Sequence, residues 1–162
     1  MRLLDRLRRK PASIKQEAIT LHAAGTVHVV GESYRQPTLE RLALFGTSTA
    51  EPFLADLKGK ARALARRNEK RWFQAALIPE PSNPHDRNAI AVHASGFGLV
   101  GYLDRQTAID YAPVFTELER HGVHVGACPA KLTGGDDVSW GVILALSSPQ
   151  VVLDDLRNSV PA

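Results

Sequence analysis

A chain of 162 residues is long enough for one well-buried core. With 44% hydrophobic and 23% charged residues and a net charge of +3, it has the composition of a soluble globular domain, and the mild positive charge permits a polyanionic partner without requiring one. A single cysteine, Cys128, excludes an internal disulfide and any multi-cysteine zinc site, which fits a cytoplasmic location. No stretch approaches the roughly 20 apolar residues of a membrane span, so we expect no membrane partner.

The two ends of the sequence differ in character from its middle. Residues 1–22 begin with arginines and lysines that alternate with leucines as far as Pro11. They lack the continuous apolar run of a secretory signal, so they predict a basic N-terminal arm. Residues 23–150 carry the patterns of a folded domain. The composition thins beyond them, and residues 151–162 are therefore expected to form a mobile or peripheral tail.

The first half of the domain predicts one strand followed by two helices. Residues 26–32 are rich in β-branched side chains and predict a short strand. Residues 37–46 predict a helix, because apolar residues recur at three-residue spacing and a glycine ends the run. A second helix is expected within residues 50–70, with Pro52 in its first turn. Its apolar stripe comprises Phe53, Leu54, Leu57, Ala61 and Leu64.

That second helix and its exit form a basic helical insertion, which Asp56 and Glu69 alone offset with negative charge. The side chains that we predict as secondary phosphate contacts are Lys58, Arg62, Arg66, Arg67, Lys70 and Arg71. A run of charge on one helix face is usually only solvated. The density of cations here also fits a helix that follows the phosphates of a nucleic acid, and both interpretations stay open.

The second half of the domain is predicted to be mostly β. Residues 72–78 predict a strand, and residues 89–103 predict a β-hairpin around the turn sequence SGFG. Asp104 is placed to cap the helix that follows. Pro113 is expected to interrupt that helix, and Gly122 is expected to end it.

Two further strands, residues 123–132 and residues 138–146, complete the predicted sheet. Pro129 suggests that the first lies at an edge or a bulge. Apolar residues alternate from Val138 to Leu146 in the second, so one of its faces should be buried. About five strands with three inserted helices indicate an α+β fold. The hairpin connections favour a small, partly open barrel over a doubly wound parallel sheet.

Residues 80–89 (EPSNPHDRNA) are the most distinctive polar stretch. Asn83 and Asp86 are turn-formers, whose side chains accept hydrogen bonds from nearby backbone N–H groups. Asp86 can equally accept from a ligand hydroxyl, and His85 is expected to point outward. Asn88 is expected to be partly buried and hydrogen-bonded to the loop. The stretch is therefore either a structural turn or a binding site.

Three stretches of the sequence together resemble one known family. They are GESYRQ at residues 31–36, PEPSNPHDRNAIAV at residues 79–92 and VGYL at residues 100–103. These strings and their order resemble the HIRAN domain across roughly residues 26–147. That domain occurs at the N-terminus of certain SWI/SNF-class DNA translocases and also as a standalone bacterial protein, which is the form that this chain resembles.

The resemblance implies an OB-like, mostly antiparallel β-barrel with inserted helices that binds single-stranded DNA, with a preference for a free 3′ end in the best-understood member. By position, Tyr34 would offer an aromatic face to a base, and Tyr102 would stand beside the pocket of the terminal nucleotide. The residues that would line that pocket are Asn83, His85 and Asp86, with Asp86 accepting from the 3′-hydroxyl. The best-understood member has a tyrosine where this chain has His85, so the stacking area here is smaller.

The residue types support the same chemistry on physical grounds, because single strands are held by basic grooves and aromatic platforms. Arg35 and Arg87 are placed to meet phosphates, and His85 can stack on a base. Tyr102 can instead pack against the barrel with its hydroxyl at the rim. The resemblance and these residue types together predict a non-enzymatic single-stranded DNA-binding module without a cofactor or metal. The resemblance implies a role in DNA repair, replication or mobile-element processing.

Two other functions stay open at this point. A metal-dependent nuclease or phosphoesterase would draw its ligands from His85, Asp86, His93 and Asp104. The local sequence offers no H-x-H or D-x-D pair for such a site. A protein-interaction module with a degraded DNA site is the third interpretation, and the histidine at the position of the family's tyrosine keeps it open.

Overall fold

The fold is organised around one curled β-sheet. The computed structural model describes residues 18–67 and 70–159, and within these ranges the sheet has seven strands. They are β1 (Ala18–Thr20), β2 (Thr26–His28), β3 (Trp72–Pro79), β4 (Ile90–Ala94), β5 (Gly98–Tyr102), β6 (Val125–Thr133) and β7 (Gly141–Ala145). Their order is β2-β7-β6-β3-β4-β5, with antiparallel neighbours throughout, while β1 pairs with β6 in parallel. The predicted α+β fold with a mostly antiparallel, OB-like sheet is confirmed.

Two hydrogen bonds join the two ends of the sheet. The backbone of Val30, just beyond β2, exchanges both of its hydrogen bonds with Tyr102 at the end of β5, and each N–O distance is 2.9 Å. Gly101 permits this close approach, because a Cβ atom there would lie 2.5 Å from the carbonyl oxygen of Val30. The glycine of VGYL is thereby explained. The strand predicted over residues 26–32 ends earlier, at His28.

The described chain has four α-helices and two short 3-10 helices, and all but the last α-helix lie between strands. The α-helices are α1 (Gln36–Phe45), α2 (Gly59–Arg67), α3 (Arg105–Arg120) and α4 (Pro149–Asn158). The 3-10 helices are Glu32–Tyr34 and Glu51–Phe53. The single helix expected within residues 50–70 is therefore split. The chain turns at Gly59, whose φ of 51° suits glycine and whose missing Cβ leaves room for the carbonyl oxygen of Ala24.

Helix α3 begins as predicted but does not break at its proline. Asp104 caps it, accepting from the backbone N of Thr107 at 2.9 Å and from its hydroxyl at 2.7 Å, and these bonds lower the pKa of the carboxyl group. Pro113 lies inside the helix and does not interrupt it. Pro113 and Ile109, whose carbonyl would have been its acceptor, are both exposed, so water can satisfy the freed carbonyl group.

The main core fills the inside of the curled sheet. Alternate strand residues such as Phe73 and Leu77 point inward and are buried there. Helix α4 adds Val152, Leu153 and Leu156 to the same core. The structure corrects the expectation of a mobile or peripheral tail from residue 151. The spacing of these three residues gives a short amphipathic helix that packs against the core.

The N-terminal boundary also moves. Strand β1 pairs with residues 125–127 of β6, and Ile19 and Leu21 are buried. The chain therefore belongs to the domain from Ala18 onward. The rest of the predicted basic arm, residues 1–17, lies outside the described residues.

Strand β6 lies inside the sheet and not at its edge. It pairs with β3 on one side and with β1 and then β7 on the other. Pro129 falls between residues 125–127, which pair with β1, and residues 130–133, which pair with β7, so its missing N–H group breaks neither ladder. The next strand begins at Gly141, and Val138 is exposed.

The face of the sheet opposite the main core, here called the outer face, is partly covered by the helical insertion. A second apolar cluster forms there, in which Trp72 of β3 and Ala145 of β7 pack against Leu57, Ala61 and Ala65. The insertion therefore stands on one end of the outer face. The other end of that face, at the close of β5, carries the candidate site.

Candidate functional site

Residues 80–89, here called the polar loop, connect β3 to β4. The loop is closed at its base by a hydrogen bond of 2.8 Å from the backbone N of Glu80 to the carbonyl oxygen of Ala89. Asn83 organises its interior: its Oδ1 accepts from the backbone N of His85 at 2.9 Å and from that of Asp86 at 3.3 Å. This is the Asx turn that the sequence predicts.

Asp86 is half-buried and holds the second turn of the polar loop. Its Oδ1 accepts from the backbone N of Asn88 at 2.9 Å. Within the described residues, no hydrogen bond reaches its Oδ2. One oxygen of the carboxylate is therefore fixed by the loop, and the other is available to a ligand donor.

Glu80 links the polar loop to β5, a role that the sequence does not reveal. Its Oε1 accepts from Nδ2 of Asn83 at 3.0 Å and from the hydroxyl of Tyr102 at 3.1 Å. Burial raises the pKa of Tyr102, and the hydrogen bond and negative charge of Glu80 raise it further. The only sequence signal is the position of this carboxylate, directly after β3 and before the turn-formers.

Arg35 and His93 complete the same cluster. Arg35 follows the first 3-10 helix, is half-buried, and lies near enough to His93 and Tyr102 to act on both electrostatically. Burial lowers the pKa of His93; Glu80 opposes this effect, and Arg35 adds to it. The cluster therefore joins one acid and one cation to a tyrosine hydroxyl and an imidazole. His93, which the sequence suggests only as a metal ligand, belongs to it.

Tyr34 stands at the exposed rim of this region. It ends the 3-10 helix that starts after Gly31, and 85% of its surface is exposed. The pairing of Val30 with Tyr102 places that helix next to the end of β5. Tyr34 thus presents an unburied aromatic ring beside the cluster, as a stacking platform requires.

The tip of the polar loop points to solvent. His85 and Arg87 are both exposed. Asn88 is also exposed, which corrects the expectation of a partly buried amide, because the loop is held by the backbone N of Asn88 and not by its side chain. Arg87 and Asn88 line a groove of about 330 Å³ between the loop and α3, and Phe115 of α3 lines it from the other side.

The basic insertion divides into free and engaged cations. Five of the six predicted phosphate contacts are exposed in the structure: Lys58, Arg62, Arg66, Arg67 and Lys70. Arg71 is half-buried instead. Its guanidinium stacks on Trp140 with 4.9 Å to the ring centroid and donates through NH1 to the carbonyl oxygen of Gly134 at 2.8 Å. Arg71 therefore contributes to the fold as well as to the charge.

The described part of the chain contains no group of three or more histidine, cysteine, aspartate and glutamate side chains arranged to hold a metal ion. Asp86 and Asp104, the acids of the nuclease hypothesis, are each bound to backbone N–H groups of their own turns. In the same described ranges, no helix is both long and apolar enough to cross a membrane.

No protein-family model matches the chain, and no curated protein matches it. Comparison with solved structures finds two similar chains. Both are HIRAN domains. The crystal structure of the HIRAN domain of human HLTF has 17% sequence identity and a TM-score of 0.39, with 86% of this chain and 90% of that chain covered. The NMR structure of the HLTF HIRAN domain in its DNA-bound conformation has the same identity and coverage and a TM-score of 0.37. This is the family that the sequence motifs resemble.

Proposed function

We propose that this chain is a non-enzymatic module that binds single-stranded DNA at the corner formed by the polar loop, the first 3-10 helix and the end of β5. One observation carries the proposal: three motifs far apart in the sequence meet there. The pairing of Val30 with Tyr102 joins GESYRQ to VGYL, and Glu80 joins VGYL to the polar loop through Tyr102 and Asn83.

The chemistry of the corner suits a single strand. Tyr34 offers an exposed ring on which a base can stack, a contact worth about 1–3 kcal/mol. Arg35 follows Tyr34 in the chain, and His85 and Arg87 are exposed at the tip of the polar loop, so all three can meet phosphates. An aromatic platform with nearby cations is the arrangement that sequence-tolerant binders of single strands use.

Recognition of a free 3′ end would use Asp86. Its Oδ1 is held by the backbone of the loop, which fixes the direction of the carboxylate, and its Oδ2 remains to accept from a terminal hydroxyl. A 3′-phosphate would bring negative charge against that carboxylate. The site should therefore bind a strand with a 3′-hydroxyl better than one with a 3′-phosphate. Such a module would act in the cytoplasm, in repair, replication or mobile-element processing.

The exposed cations of α2 and its flanks would extend the footprint. They stand on the same outer face of the sheet, above Trp72 and Ala145. Phosphates that leave the corner along this face would meet them, and each neutralised phosphate adds to the salt dependence of binding.

The test is fluorescence anisotropy at low salt with a labelled strand of twelve thymidines, ending in a 3′-hydroxyl or in a 3′-phosphate. We expect binding that the 3′-phosphate weakens. Equal binding of both ends would remove the role of Asp86 and leave strand binding in place. No binding of either strand would overturn the proposal and favour the protein-interaction interpretation.

Turnover is tested on the same strand. Incubation with the protein and Mg²⁺ or Mn²⁺ should leave the strand intact on a denaturing gel. Cleavage by the wild type that is lost in the Asp86→Asn variant would overturn the binding-module proposal and support the metal-dependent nuclease.

A further inference from the structure

Lys131 is a buried lysine on β6, with 9% of its surface exposed. Its cross-strand neighbours are Trp72 of β3 and Ile143 of β7. Among residues 18–67 and 70–159, no acid or hydrogen-bond acceptor pairs with its ammonium group, yet no unpartnered side-chain nitrogen is fully buried there, so the ammonium reaches solvent. A desolvated cation without a counter-charge is costly. An anionic ligand would remove that cost.

A second cation lies beside it. Burial of Lys131 lowers its pKa, and the positive charge of Arg71 lowers it further. Arg71 has a φ of 69°, uncommon for a side chain other than glycine, and its contacts with Trp140 and Gly134 hold it in place. One N–H of its guanidinium is used by Gly134, and the fork has further donors for a ligand.

The register of the sheet places Lys131 on the same face as the corner site. Tyr102 lies opposite Ala91, which lies opposite Ile78 of β3. Lys131 lies opposite Trp72 of the same strand. Because Ile78 and Trp72 are an even number of positions apart, all five side chains share the outer face.

The outer face between Lys131 and the corner site is lined by short or polar side chains. Gln74 and Ala76 occupy this face of β3, and His93 of β4 lies opposite Ala76. All three are partly exposed, so neither the helical insertion nor the hairpin covers them completely. A strand could therefore lie across them with its bases against the sheet.

We propose that Lys131 and Arg71 bind an internal phosphate of the strand whose 3′ end lies at the polar loop. The inference rests on the proposed function and adds a direction: the strand crosses the outer face from Tyr102 toward α2, with its 5′ side at the basic insertion. Tyr102 and Lys131 are about 20 Å apart along the direction of β3 and about 14 Å apart across three strand spacings. The path between them is therefore at most about 25 Å. Site sizes of OB-folds begin at about four nucleotides, so a dinucleotide would not reach Lys131.

The experiment compares strands of twelve and of two thymidines, each labelled at its 5′ end, by anisotropy at several salt concentrations. Lys131→Met keeps the buried stem and removes the charge. We expect it to weaken binding of the longer strand about tenfold and to reduce the magnitude of its logarithmic salt slope by about 0.7, with no change for the dinucleotide. Lys131→Arg should bind like the wild type.

The matched control is Arg157→Gln, which removes one exposed charge from α4, the helix that packs against the main core. Equal binding by Lys131→Met and Arg157→Gln would overturn the inference while the proposed function stands. If the wild type binds neither strand, the two fall together. Loss of dinucleotide binding in Lys131→Met would also overturn the inference, because it would place the lysine at the corner site.

A measurement on the wild type covers the case in which Lys131→Met does not fold. Titration of the lysine side-chain carbons by NMR follows Lys131 directly, with Arg71 the charged group that faces it. The twelve-thymidine strand should raise the pKa of Lys131, and two thymidines should leave it unchanged. An unchanged pKa with the longer strand bound would overturn the inference.

Discussion

The hydroxyl of Tyr102 and Nδ2 of Asn83 donate to the same oxygen of Glu80, at 3.1 Å and 3.0 Å. The end of β5 is thereby tied to the polar loop through one carboxylate. Tyr102→Phe removes one of the two bonds and keeps the ring, so we expect the free energy of unfolding to fall by about 0.5–1.5 kcal/mol. Urea denaturation followed by tryptophan fluorescence measures it, and an unchanged midpoint would show that this bond does not hold the corner together.

Asn83 should matter more to stability than its neighbour Asn88. Asn83 accepts hydrogen bonds from two backbone N–H groups of the polar loop and donates one to Glu80, whereas Asn88 is exposed. Asn83→Ala is expected to cost about 1–3 kcal/mol, because it leaves polar groups without partners. Asn88→Ala should stay within about 0.5 kcal/mol of the wild type. Equal costs in urea unfolding would contradict the Asx-turn account.

Helix α4 should be an integral part of the fold. Leu156 is 2% exposed and packs in the main core, whereas Val151 on the same helix is 43% exposed. Leu156→Ala is expected to lower the free energy of unfolding by about 2–5 kcal/mol, since it leaves a cavity. Val151→Ala should change it by less than about 0.5 kcal/mol. A Leu156→Ala variant as stable as wild type would restore the peripheral tail that the composition suggests.

The sequence predicts what depends on local spacing. Strand-forming residues mark β3, the turn sequence SGFG marks the hairpin of β4 and β5, and the side chain of Asp104 marks the start of α3. Each signal lies within a few residues of the element that it forms. The Asx turn at Asn83 is readable for the same reason. These features need no knowledge of the tertiary fold.

What depends on distant parts of the chain is not readable. The position of Glu80 between Asn83 and Tyr102 follows from the pairing of β3 with β4 and of β4 with β5. Lys131 has the pattern of an ordinary outward-facing strand residue until the insertion folds over that face. Arg71 counts as one more cation in a basic run, and only the fold stacks it on Trp140.

The pH dependence of stability should report on His93. Its folded pKa lies below 6.5, mainly because burial disfavours the imidazolium ion, while the unfolded chain keeps the ordinary value. The unfolded state therefore binds more protons, and stability falls as the pH drops from about 6.5 through the lowered folded pKa. His93→Gln removes this loss, so the difference between wild type and variant should shift in favour of the variant at acid pH. Urea midpoints from pH 5 to pH 8 that run parallel would contradict it.

Tyr34 should separate binding from folding. Its ring is 85% exposed, so Tyr34→Ala is expected to leave the free energy of unfolding within about 0.5 kcal/mol of the wild type. Phe45 supplies the matched control, because it is 79% exposed at the end of α1 and belongs to none of the three motifs. Loss of one stacked base should weaken binding of a twelve-thymidine strand by about fivefold to 150-fold in Tyr34→Ala. Phe45→Ala should bind normally, and a loss shared equally by both variants would mean that the strand is held by general hydrophobic contact and not by the corner at Tyr34.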